Sequence, residues 1–283
     1  MAAGFKGQGF DCVERNTTPE KAAARLSQGY ITAYGSALPW SNLEQMFAGA
    51  GGVISTAADM GKWLSMHTNE GKNINGERLL SKSLLEESYS PLPGSPKYGL
   101  GWSLSSANVK PARISHSGAL STIQAQQDIV PSSGYAVAVM LNSFTTTFEH
   151  AYEISSGIIK LTEGQKPNIK VPMPKIIDLF LGLMTLIYLF LGIKGILRSK
   201  EWSNRRKLHP TLRYYLRLMP QIIPVLFIGW LFFIVPNLQN NSSTIKDAIG
   251  IWPAAMLFLA VVFLIGTIVT VRRVYYRVRL NRN

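Results

Sequence analysis

His116, Ser117 and Gly118 follow one another in the segment ISHSGAL, residues 114–120, a histidine and a serine beside a glycine in an apolar strand pattern, as one wall of an active site would place them. A strand edge offers backbone hydrogen bonds to an extended substrate, a polar imidazole favours an anionic or hydroxyl group, and glycine permits close approach. Other residues give thinner chemistry. His67, His116, His150 and His209 show no metal-ligand spacing, so neither a metal nor a cofactor is expected. Asp128 falls on a strand near a turn, which predicts a solvated or turn-binding carboxylate. Gly49, Gly51 and Gly52 with Ser55 and Thr56 read as a turn into a capped helix, since no lysine stands where it would reach a phosphate. Cys12 is the sole cysteine and permits no internal disulfide.

The elements that must hold ISHSGAL are legible around it. Thr56 with Asp59 three residues on has capping-box spacing and predicts a helix to about His67 that buries Met60, Trp63, Leu64 and Met66. Asn75 and Gly76 predict a turn, and Ser81 caps a second, short helix. From Tyr98 the period changes. YGLGWSLSS, ARISHSG, STIQAQQDIVP and YAVAVMLNS are β-branched or aromatic and bounded by turns such as Pro131–Gly134, which predicts an antiparallel meander. YAVAVML is apolar at nearly every position and fits a central strand covered on both faces. TTFEHAYEISSGIIKLTEG predicts a closing amphipathic helix with Phe148, Ala151, Tyr152, Ile154, Ile158, Ile159 and Leu161 as apolar candidates. These elements predict an α+β domain over residues 1–162, followed by a proline-rich linker over 163–175.

Charge separates this domain from the remainder. Residues 1–174 carry 14 Lys/Arg against 13 Asp/Glu, whereas residues 175–283 carry 15 against 3. In the second part the cations flank long apolar runs at 176–193, 218–235 and 248–271, each able to cross about 27 Å or more at ~1.5 Å per residue. That pattern implies a three-span region over 176–283 and a lipid bilayer as partner, and it disfavours nucleic acid, which would also attract a basic chain. Eight cations lie at 194–217 and five at 272–283, but only Lys246 lies between the second and third runs. The positive-inside rule then puts the first loop and the C-terminus in the cytoplasm and residues 1–174 outside. The first twenty residues contain no apolar stretch that would serve as a signal segment.

The order AGAGGVISTAADMGKWL, NGERLLSKSLLEE, YGLGWSL, ISHSGALSTIQAQQDIVPSSGYAVAVMLNS resembles the C-terminal half of class C β-lactamase-like serine hydrolases, a group that includes low-molecular-weight penicillin-binding proteins. The similarity covers about residues 22–162. It implies a partial β-lactamase/transpeptidase-like antiparallel sheet with flanking helices. It also implies that His116, Ser117 and Gly118 match the family's third motif, Lys-x-Gly or His-x-Gly, and that the backbone N–H of Ala119 is an oxyanion-hole donor. The family's nucleophile motif, Ser-x-x-Lys, occurs only at Ser243–Lys246, after the His-x-Gly strand and beside the third apolar run; Tyr-x-Asn is absent, and Ser106-Ala107-Asn108 stands just before the strand. The expectation is therefore a membrane-anchored portion of a serine hydrolase acting on cell-wall peptide or β-lactam/amide-type substrates. Its N-terminal catalytic half would be missing, and it would be inactive alone. The alternative is a non-catalytic membrane-anchored protein that binds a peptide or a protein partner at an open sheet edge.

Overall fold

A computed structural model describes residues 11–12, 27–40, 53–105, 110–120, 122–144, 150–168, 172–235 and 245–282. The fold is α+β, and the chain divides into two compact units, residues 1–31 with 37–171, and residues 32–36 with 172–283.

The chain runs β1 (Asp11–Cys12), β2 (Tyr30–Ala33) and β3 (Ser36–Pro39), whose residues 32–36 fall in the second unit, and then in the first unit β4 (Val53–Ile54), α1 (Ala57–Thr68) and α2 (Lys82–Tyr89). It continues through β5 (Ser103–Leu104), β6 (Ile114–Leu120), β7 (Ile123–Val130), β8 (Tyr135–Leu141), β9 (Ser143–Phe144) and α3 (His150–Thr162). Both helix starts follow from their caps. Thr56 Oγ1 accepts from the Asp59 N–H at 3.1 Å, and Ser81 Oγ accepts from the Leu84 N–H at 3.2 Å, so each satisfies a donor that has no partner within its helix. The meander is present as a four-stranded sheet in the order β5-β6-β7-β8, antiparallel throughout.

Strand alternation gives this sheet two faces. On one, Leu64, Trp102 and Ile129 form a core joined by Trp63, Tyr89, Ile114, Ala136 and Ala138; on the other, Val130, Val137, Val139, Ala151 and Ile159 pack with Leu141. β8 is covered by α1 on one face and α3 on the other, as its continuous apolar run predicts. Among the described residues its strand neighbour in this sheet is β7. Of the apolar candidates on α3, Ala151 and Ile159 are buried while Tyr152, Ile154, Ile158 and Leu161 are exposed; Phe148 lies outside the described residues.

Asp128 corrects its expected role. It is fully buried because it lies two residues before Val130 on the same face of β7, inside the strand and away from the turn. Its Oδ2 accepts from Ser155 Oγ at 2.5 Å and from Gln126 Nε2 at 3.0 Å, while Oδ1 has no partner.

The second unit contains α4 (Met173–Leu197), α5 (Ser199–Asn204), α6 (Thr211–Leu216), α7 (Met219–Gly229, continued by a π-helical turn Trp230–Ile234), α8 (Ile245–Ile251) and α9 (Pro253–Arg282). Met173–Leu197 and Pro253–Leu280 are long and apolar enough to cross a membrane, and Met219–Ile234 is a shorter apolar helix. α4 begins inside the expected linker, because Pro174 falls at the start of the helix, where its missing N–H costs nothing. The expected run 248–271 is interrupted at Trp252, since Pro253 supplies no N–H and disfavours helix in the residue before it.

The long helices meet through small residues. A Cβ on Gly192 would collide with Ile265 Cγ2, and one on Gly195 would lie 3.6 Å from Val269 Cγ2, so the glycines let α4 and α9 approach closely. Asp178, buried in α4, is satisfied within this unit: Trp252 Nε1–H donates to Oδ1 and the Tyr34 N–H to Oδ2, each at 2.9 Å.

Candidate active site

The site is built on β6, and its neighbours decide what the strand displays. β5 pairs with β6 only at Ser103–Ser115 and Leu104–Ile114. The ladder is extended one residue by Ser105 N–H donating to Arg113 O at 3.0 Å and Arg113 N–H donating to Ser105 Oγ at 2.8 Å. Arg113 therefore turns its backbone groups toward β5, and by the alternation of an antiparallel ladder Ser115, Ser117 and Ala119 do the same. Beyond Ser115 that edge has no strand neighbour among the described residues. The N–H and C=O groups of Ser117 and Ala119 thus face an open edge.

The side chains sort just as cleanly. His116 lies opposite Gln127 and Gly118 opposite Ala125, in the same series as Ile114 and Ile129, which places them on the face of the Leu64–Trp102 core. Ser117 and Ala119 lie opposite Gln126 and Gln124, on the α3 face. The three consecutive residues His116, Ser117 and Gly118 are therefore not a single cluster, and Ser117 projects away from the face that carries the imidazole. His116, Ser117, Gly118 and Ala119 are all exposed. A Cβ on Gly118 would meet only Ala125 Cβ, at 3.9 Å, so no atom of the sheet itself demands glycine there.

Tyr98 completes the imidazole's surroundings. Its Oη and His116 Nε2 share a hydrogen bond at 3.0 Å, with ring centroids 6.0 Å apart. The loop YGLGWS positions it: Ser103 bridges to Tyr98 and also pairs with Ser115, which brings the tyrosine beside β6. Gly101 takes φ +80°, and a Cβ on Gly99 would stand 2.5 Å from Ser88 O, so this loop closes only with glycine at both positions. Tyr98 was not singled out from the sequence; the glycine pair directly after it was the available signal.

His67 belongs to a different environment, below the sheet. It is buried between Trp63 and Trp102, with ring centroids at 4.5 and 5.0 Å. Its Nδ1 shares a 2.5 Å hydrogen bond with Tyr89 Oη, and its Nε2 has no partner. Burial lowers the imidazole to about 4 and pushes the Tyr89 phenol upward, so both groups are neutral at pH 7. Ser106–Asn108 and Ser243 lie outside the described residues, and the described portion of Ser243–Lys246 is the start of α8.

Among curated proteins no match was found. The family model named beta-lactamase matches residues 13–156, just over half of the chain, and includes β6, Tyr98, the Leu64–Trp102 core and all of the other core but Ile159. A two-faced antiparallel sheet flanked by helices, with His-x-Gly on its open edge, accords with that match, and the chain belongs to the beta-lactamase family.

Proposed function

We infer that this chain is the strand-bearing portion of a membrane-anchored serine hydrolase of the penicillin-binding type, acting on cell-wall peptide or β-lactam/amide-type substrates. The observation that carries this reading is the edge of β6, where the backbone of Ser117 and Ala119 has no strand neighbour among the described residues and lies beside an imidazole held by Tyr98. An extended acyl-peptide would add to that edge as a further strand. Its carbonyl would receive the Ala119 N–H as oxyanion donor, and Gly118 would leave room for its backbone. His116, steadied by Tyr98, would face the substrate's carboxylate or hydroxyl group. In the complete chemistry a serine Oγ bonds to the acyl carbon, the amine leaves with a proton, and water releases the acid. The sequence has no Tyr-x-Asn and only one Ser-x-x-Lys, at Ser243–Lys246, so the edge binds and does not acylate. The helices Met173–Leu197 and Pro253–Leu280, with the apolar helix between them, anchor the protein in a bilayer.

Covalent labelling tests the chemistry. Purified chain exposed to a fluorescent penicillin and to a fluorophosphonate is expected to give no stoichiometric band; a band that survives denaturation would overturn the reading. A second reading, a non-catalytic module that docks a protein partner, is favoured by two observations: the exposed apolar side chains on α3 and, among the described residues, the single strand neighbour of β8 in its sheet. Binding of an acyl-peptide ending in a free carboxylate, abolished by edge substitutions in β6, separates the two.

A further inference from the structure

At one end of the second unit the cations are too many for the acids. Residues 194–217 and 272–283 contain thirteen Lys/Arg and one acid, Glu201, and Glu201 is engaged by Arg205 on an exposed surface. Two of the guanidiniums converge. Arg206 and Arg273, from the α5–α6 loop and from α9, place their guanidinium carbons 4.2 and 4.3 Å from the centroid of one indole, Trp202. Each has a buried Nε with no hydrogen-bond partner. Arg206 Nη1 donates to Trp202 O at 3.0 Å, and Arg273 Nη1 reaches Gln221 Oε1 at 3.3 Å; among the described residues no carboxylate is among the charges acting on either side chain, whereas Arg205 and Arg217 act on Arg206, and Arg206 on Arg273.

The scaffold around this pair is fixed. Arg277 spends its guanidinium on the carbonyls of Arg206, Lys207 and His209, which ties down the loop carrying Arg206. Ser203 Oγ and Tyr214 Oη both donate to Arg273 O, at 2.9 and 2.7 Å, which docks α5 and α6 onto α9. Folding thus holds two like charges against one ring, partly out of water. That arrangement is costly without an anion, and a planar guanidinium fork suits a phosphate oxygen pair.

We propose that Arg206 and Arg273, backed by Trp202, form a binding site for a phosphate group, carried by an anionic lipid headgroup or present as free phosphate. The location favours the headgroup. No charged residue occurs from Pro253 to Val271, so Arg273 follows an apolar stretch close to the ~20 residues that cross a bilayer core, at the depth where headgroup phosphates lie. That preference rests on the membrane reading above.

The test uses the full chain in a maltoside detergent. Calorimetric titration with short-chain phosphatidylglycerol is expected to saturate at one lipid per chain. Affinity is expected to fall at least tenfold in the double variant Arg206→Gln/Arg273→Gln and less than twofold in Lys200→Gln/Arg279→Gln, which removes the same charge from exposed positions. A parallel titration with inorganic phosphate assigns the source: comparable affinity means free phosphate, and much weaker binding means the headgroup, either result supporting the site. Equal loss in the two double variants, or no saturable binding of either probe, would overturn it. Should the first variant fail to fold, modification of the wild-type chain by phenylglyoxal decides, since bound phosphatidylglycerol must protect Arg206 and Arg273 selectively. Alkaline carbonate extraction of membranes tests the anchoring separately: release of the chain defeats the spanning reading and leaves the phosphate arm standing.

Discussion

Two glycines near the candidate site respond oppositely to the same methyl group. Gly118→Ala adds a Cβ whose nearest neighbour is Ala125 Cβ at 3.9 Å, and alanine is favoured over glycine inside a strand by about 0.5–1 kcal/mol. The thermal midpoint is expected to hold or rise while peptide binding along β6 weakens, which is the split that a binding role requires. Gly99→Ala forces a Cβ against Ser88 O and is expected to cost about 2 kcal/mol, with loss of the Tyr98–His116 contact. Circular dichroism melting of both variants, with titration of a carboxylate-ended peptide, checks the pair. His67 supplies a pH signature. Because the folded imidazole titrates at about 4, below its ordinary 6.5, the unfolded chain takes up the proton first as pH falls. Its contribution is complete above pH 6.5 and is lost progressively between 6.5 and 4, to at most about 3 kcal/mol. Urea midpoints across that range are expected to fall more steeply for the wild type than for His67→Gln. The sequence exposed His116 and Gly118 through their motif. Asp128 and Tyr98 were not legible, because burial of the one and contact with the other depend on which strand face and which loop arrive beside them.

At the level of elements, local signals were the readable ones. The caps at Thr56 and Ser81 act within a single turn, and both helices begin where those side chains place them. The meander from β5 to β8 follows from alternation and turns, which are equally local. The cover on both faces of β8 was legible in its apolar run, which says nothing of how many strands flank it. The break at Trp252–Pro253 was written in the sequence but outweighed by hydropathy. The face of α3 carries a consequence. Ile154, Ile158 and Leu161 are 44%, 38% and 61% exposed, a stripe that water leaves poorly satisfied. In Ile154→Lys/Ile158→Lys the buried side chains Ala151, Ser155 and Ile159 are untouched. The expected outcome is less self-association by sedimentation velocity in detergent, with an unfolding free energy within about 1 kcal/mol of the wild type. A variant that unfolds would show instead that this stripe is part of the core.

On the scale of the whole chain, the separation of charge from apolar length predicts which way the protein faces. The first 174 residues are nearly neutral, with 14 cations against 13 acids. Cations crowd the segment after α4 and the end of α9, while between Val235 and Pro253 only Lys246 is basic. For three crossings, one end of α4 and of α9 must share a side, and basic segments are held on the cytoplasmic side. Ser132, exposed in the turn between β7 and β8, then faces outward, and Lys200, exposed in α5, faces the cytoplasm. Single cysteines at these positions, Ser132→Cys and Lys200→Cys in a Cys12→Ser background, report this directly. In spheroplasts a membrane-impermeant maleimide is expected to label the first at once and the second only after the membrane is permeabilised. The reverse pattern would place β6 in the cytoplasm and remove cell-wall peptide from its reach. Labelling of both in sealed spheroplasts would mean that α4 (Met173–Leu197), the long apolar helix that lies between them, does not cross the membrane.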